Sequence, residues 1–117
     1  AAIPLMKVIE CALNRDLLRL RVRMAQVRRA MREASRAAVE ARITYQRELR
    51  RALVQQSGGS AEMRKAAAEL MCEDLEARAI IAEKSAEEFV TLYRSVRDDM
   101  ENAKVVAYNL RVLHSMD

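Results

Sequence analysis

The chain has no tryptophan, one phenylalanine, one proline and two glycines among 117 residues. So few turn formers exclude a β-sandwich or an α/β fold, which need a turn every dozen residues or so. No run approaches the 18 or so consecutive apolar residues of a membrane span. The opening Ala1-Ala2-Ile3-Pro4-Leu5 carries neither the basic nor the long apolar region of a secretory signal. Cys11 and Cys72 form no CxxC pair and no zinc spacing. The expectation is two small, buried, reduced side chains in a cytoplasmic protein.

What remains is helical. Apolar residues make up 51% of the chain, but 20 of them are alanine, so bulky core formers are scarcer than the percentage suggests. Ala, Arg, Glu, Leu and Lys dominate, as in long helices and coiled coils. Pro4 suits a first helical turn, where its missing N–H costs nothing. Ser57-Gly58-Gly59-Ser60 is the one strong loop signal. Its glycines are free to take positive φ after a helix end, and Ser60 is placed to cap the next helix, with Glu62 in the first turn. These signals predict a single domain over 1–117, with a helix over 4–56, a turn at 57–60 and a helix over 61–115. Each helix would be about 75–80 Å long if unbroken.

Heptad spacing supports the reading. Leu17, Leu20, Met24, Val27, Met31, Ala34, Ala38, Ala41 and Tyr45 keep a 3-4 alternation, followed by a predicted stutter through Leu49 and Leu53. Leu75, Ala79, Ala82, Ala86, Phe89, Tyr93, Val96, Met100, Ala103, Ala107, Leu110 and His114 repeat the alternation in the second helix. A short loop between two such seams predicts an all-α, long antiparallel two-helix coiled-coil hairpin. Folding about the glycines sets residue i near residue 117−i. Tyr45 then meets Met71 and Leu75, Arg42 lies near Asp74 and Glu76, and Cys11 and Cys72 are about 50 Å apart. The methionines fall mainly on the seams, as gap-filling core.

Two helices bury one stripe each. Leu18, Val22, Val39 and Ile43 lie off the first seam, and Ile80, Ile81, Leu92, Val105, Val106 and Leu113 lie off the second. These residues predict a second interface, most simply a homodimer forming a four-helix bundle, or else a face for another protein.

The net charge of +4 hides a division: residues 1–57 carry 13 Lys and Arg against 5 Asp and Glu, and residues 58–117 carry 8 against 12. With Leu17 as heptad position a, the outer f row of the first helix reads Arg15, Val22, Arg29, Arg36, Ile43, Arg50, with Arg21, Arg28 and Arg42 at e. Arg15, Arg29, Arg36 and Arg50 are candidate phosphate contacts along a nucleic acid. The alternative is that acidic residues of the second helix neutralise much of this charge. Arg28 and Arg29 would then face Glu87 and Glu88, and Arg15 and Arg19 would face Asp98 to Glu101, fixing register more than stability. No aromatic residues interleave the arginines to stack on bases.

Catalytic machinery is hard to assemble. His114 is the lone histidine, near the chain end, and builds no Ser/His/Asp or Cys/His set. Glu87-Glu88 and Asp98-Asp99 are adjacent on a helix and so point in different directions. The glycine turn lacks the lysine of a phosphate-binding loop, and no repeated Glu-x-x-His suits a di-iron bundle. The expectation is no enzyme, no cofactor, no metal and no small-molecule substrate.

Tyr45-Gln46-Arg47, the Gly59-Ser60 turn, Arg64-Lys65-Ala66-Ala67-Ala68-Glu69-Leu70 and Arg94-Ser95-Val96-Arg97-Asp98-Asp99-Met100-Glu101 resemble small helical-hairpin accessory proteins. These are encoded by tailed bacteriophages of Gram-positive, especially actinobacterial, hosts. The resemblance runs from about Ala41 to Arg111, and this first helix is richer in arginine than the group's pattern. It implies a non-enzymatic accessory role in the host cytoplasm, beside replication or recombination, and assigns no site residues. The lack of Trp sets the chain apart from secreted WxG-type hairpins.

Overall fold

The computed structural model describes residues 4–116; Ala1–Ile3, part of the segment read above for a secretory signal, and Asp117 lie outside the described residues. Every regular element among the described residues is an α-helix: α1 is Pro4–Gln55, α2 is Ala61–Met71 and α3 is Glu73–Ser115. Long α1 packs against long α3 in a hairpin-like arrangement, with short α2 between them in the chain. No helix is long and apolar enough to cross a membrane.

The turn forms as its residues dictate. Gly58 and Gly59 take φ of 79° and 72°, a region that costs an L-residue about 1–2 kcal/mol. Ser60 is extended, and its hydroxyl accepts from the Met63 N–H at 3.2 Å, capping α2 with Glu62 in the first turn.

The second helix departs from the expected continuous span. Cys72 interrupts it at φ −106° and ψ 12°, and its N–H is shared between the carbonyls of Ala68 and Glu69, at 3.2 Å each. Glu73, Asp74 and Glu76 occupy the first turn of α3. Carboxylates favour a fresh helix N-terminus there, and the like charges of Glu69 and Glu73, four apart, oppose a smooth continuation.

Contacts divide the chain into two compact units. One combines residues up to Ala30 with those from Val90 onward; the other is Met31–Phe89. In the first, Val27, Val96, Met100 and Ala107 are buried. In the second, Tyr45, Ala52, Ala68 and Cys72 form a cluster, with Leu49 and Leu75 packed against it. The predicted seam positions of α3 from Leu75 to His114 are all buried or half-buried, and Ala68 and Cys72 extend the alternation towards the turn.

Two packing expectations are corrected. The stutter in α1 is met only at its first residue: Leu49 packs against the cluster, but Ala52 is buried at 5% exposure while Leu53 stays exposed at 37%. The small Ala52 admits Ala68, and α1 keeps its alternation through Tyr45, Glu48 and Ala52. Pairing by 117−i holds for Tyr45 in the core, where it clusters with Cys72 and the expected Leu75, and falls short by one to two turns at the polar side-chain tips. Tyr45 bonds Glu76, Arg42 bonds Glu83, and Met71 is exposed. Side chains lean toward their own helix N-terminus. On antiparallel helices the two leans add, so an α1 side chain meets an α3 partner farther from the turn than residue counting gives.

A Gly58→Ala substitution isolates the turn's backbone requirement, because nothing lies within 4 Å of a Cβ built there. It should destabilise the fold by about 1 kcal/mol, read as a lower midpoint in chemical denaturation with the slope unchanged.

Candidate interaction surfaces

The angular position of each arginine on α1 decides what it does. Arg42, at e, donates through Nε to Glu83 Oε2 at 3.2 Å and through Nη2 to Glu83 Oε1. Its guanidinium carbon also stands 5.6 Å from the centroid of the Tyr45 ring. The bond to Glu83 pushes Arg42 above its ordinary pKa, and the bond from Arg42 holds the Glu83 carboxyl below its own. Tyr45 donates to Glu76 Oε2 at 3.3 Å. Burial first, and then the Glu76 charge, push its phenol upward. Arg28, also at e, donates to Tyr93 Oη at 3.4 Å and lies 5.8 Å from that ring's centroid.

The outer row behaves differently. Arg15 and Arg29 in the first unit, and Arg36 and Arg50 in the second, are all exposed. No described residue supplies any of the four with an ion-pair partner. Arg19 and Arg51 pair within α1, with Asp16 and Glu48. The expected neutralisation is met in part: Arg42 feels the Glu76 charge as expected but bonds Glu83, and Arg19 turns to its own helix instead of Asp98 to Glu101. The lean of the side chains moves the e-row contacts along α3, while f-row side chains point too far from the seam to make them.

Apolar residues share the outer face. Leu18, Val22, Val39, Ile43, Ile80, Ile81, Val105, Val106 and Leu113 are exposed, from 43% at Ile80 to 69% at Ile81. Leu92 is half-buried instead. Leu18 and Val22 lie in a shallow hollow of the first unit bordered by Arg15, Arg19, Arg23 and Gln26. That hollow brings a predicted arginine together with two predicted apolar residues. Val39 and Ile43 sit one turn apart on α1 of the second unit, beside Arg36.

Other expectations need correction. Cys11 is exposed, as a residue at position b must be, and Cys72 alone is buried. Met63, Met71 and Met116 are exposed, since they fall off the seam alternation, while Met100 is buried. His114 sits on the seam as expected, and its Nδ1 lies 2.9 Å from Glu10 Oε1. Glu10 escaped notice because a carboxylate at a seam position gives no apolar signal. Extending the alternation back from Leu17 through Leu13 reaches it. No group of three or more His, Cys, Asp or Glu among the described residues is arranged to hold a metal ion.

No protein-family model matches the chain, and neither the curated proteins nor the solved structures compared with it give a match.

The Arg42–Glu83 pair predicts a pH dependence of known sign. A carboxyl held below its ordinary pKa in the folded state stabilises above the unfolded value, and this is lost as the pH falls through the folded one. Glu83→Gln should lower the melting temperature at neutral pH, and the gap to the wild type should close as the pH falls below the ordinary carboxylate range. A gap of equal size at both pH values refutes a role for the carboxylate charge.

Proposed function

We propose that the chain is a non-enzymatic, self-associating helical-hairpin accessory protein that binds a polyanion, foremost duplex DNA without sequence preference. The observation that carries this reading is that Arg15, Arg29, Arg36 and Arg50 stand exposed without a carboxylate partner. Guanidinium groups left in this way contribute nothing to the hairpin and are free to displace counterions from phosphates. An accessory role beside phage replication or recombination agrees with the resemblance noted between residues 41 and 111.

A second reading is an adaptor that binds a protein and no nucleic acid. The exposed aliphatic group near the end of α3, Val105, Val106, Val112 and Leu113, favours it. Apolar side chains gathered in this way fit a protein partner better than a phosphate backbone.

Fluorescence anisotropy on a labelled mixed-sequence duplex separates the two. Phosphate contacts give a negative slope of log K against log salt, and each arginine removed lowers its magnitude by about one. Val106→Glu should leave this binding intact and weaken an adaptor's hold on its protein. No binding by micromolar protein in about 50 mM salt, where phosphate contacts are strong, ends the polyanion reading.

A further inference from the structure

Two heptad triads in the Met31–Phe89 unit are complementary. On α1, Arg36, Ile43 and Arg50 recur every seven residues; on α3, Glu73, Ile80 and Glu87 do the same. All six are exposed, with Ile43 and Ile80 at 46% and 43%. Residues seven apart fall on one row of a helix, so each triad is a charged–aliphatic–charged row of one sign. Set antiparallel, the rows have matching spacing: the isoleucines meet at the centre, and each arginine meets a glutamate one heptad away.

The two rows cannot serve each other within one chain. Arg36, Ile43 and Arg50 occupy the f row, the position farthest from the α1 seam that faces α3. We propose that the partner of this surface is a second copy of the chain, with the basic triad of α1 docking on the acidic triad of the other copy's α3. This rests on the self-association part of the proposed function and assigns it a face. Two arguments on the molecule select this occupant. A second copy carries both the opposite charge and the matching aliphatic centre at the same spacing. Among the described residues the hairpin's own core also has no large side chain fully buried, so burying two isoleucines per contact adds apolar burial that the single chain lacks. The contact is heterologous, a basic row on an acidic one, so each copy offers both halves of it and the assembly grows or closes by repetition.

The docking divides the four outer arginines. Arg36 and Arg50 are taken up by the second copy, and Arg15 and Arg29 of the other unit remain for a polyanion. The first unit has a matching basic row, Arg15, Val22 and Arg29, but α3 beyond Val90 has no acid–aliphatic–acid row at heptad spacing to meet it.

Light scattering on the full chain without DNA, with circular dichroism to confirm helicity, tests the docking. Wild type should run as a dimer or larger assembly. R36E/R50E and E73R/E87R should each fall to the monomer mass while remaining helical, and the quadruple variant R36E/R50E/E73R/E87R should regain the assembled mass. Ile43→Ser with Ile80→Ser should give a helical monomer without altering charge. A monomeric wild type overturns both the docking and the self-association on which it rests. An assembled wild type whose mass neither charge variant changes overturns the assigned face alone. Monomers that the quadruple variant fails to rescue also overturn the charge pairing. Anisotropy with DNA on the same proteins reads the polyanion proposal separately, through R15E/R29E.

Discussion

The constraint on which the structure depends is that two helices bury one stripe each, and here the stripe is made largely of small side chains. Among the described residues, five of the ten that are buried are alanines: Ala38, Ala52, Ala68, Ala79 and Ala107. Alanine lets the helices approach closely, but a buried methyl contributes under about 1 kcal/mol, against about 2–3 kcal/mol for a buried leucine. The larger aliphatic residues are displaced outward, so Leu18, Ile43, Ile80 and Leu113 remain in water. A close-fitting, alanine-rich seam and an apolar exterior are therefore two results of one arrangement.

Charge follows the same geometry. Arg42 and Arg28 sit at e, beside the seam, and are engaged within the hairpin, by Glu83 and by the Tyr45 and Tyr93 rings. Exposed pairs of this kind add little stability and mainly fix register. One residue over, at f, the same side chain points away from the partner helix and stays unpaired. Arg28 and Arg42 are thus turned inward and the f row outward, while Arg21, also at e, is exposed with no ion pair among the described residues. Neither net charge nor halves alone show which arginines belong to which.

Much of this was legible in the sequence. Gly58-Gly59, Ser60 and Glu62 placed the turn and its cap because each has a local backbone cause. The α3 seam from Leu75 to His114 could be read because 3-4 alternation is a property of residue order. The break at Cys72 was not legible: no proline or glycine marks it, and it arises from a shared hydrogen bond within a run of carboxylates. Partner identity was misplaced by one to two turns for a similar reason. Residue counting tracks Cα positions, while Arg42 and Glu83 meet at the tips of leaning side chains. Of the candidate surface residues, Leu92 is half-buried where Val106 and Leu113, also at g, are exposed, and Glu10 was missed because seam positions were sought among apolar residues.

The outer row of α1 is harder to read as a phosphate track alone once its centres are considered. Val22 and Ile43 lie midway between arginines, in Arg15–Val22–Arg29 and Arg36–Ile43–Arg50. A phosphate backbone gains nothing from an aliphatic side chain held against it, whereas a protein partner gains both burial and charge pairing from the alternation. The row of the Met31–Phe89 unit has a counterpart within the sequence itself, in Glu73–Ile80–Glu87. The row of the other unit has none, and the hollow around Leu18 and Val22 broadens its apolar centre. If nucleic acid is held there, Arg15 and Arg29 act as separate point contacts two heptads apart, and the affinity is set by salt more than by shape. If a protein is held there, that protein must bring an acidic row with an aliphatic centre. The two chemistries share the arginines and differ at Val22.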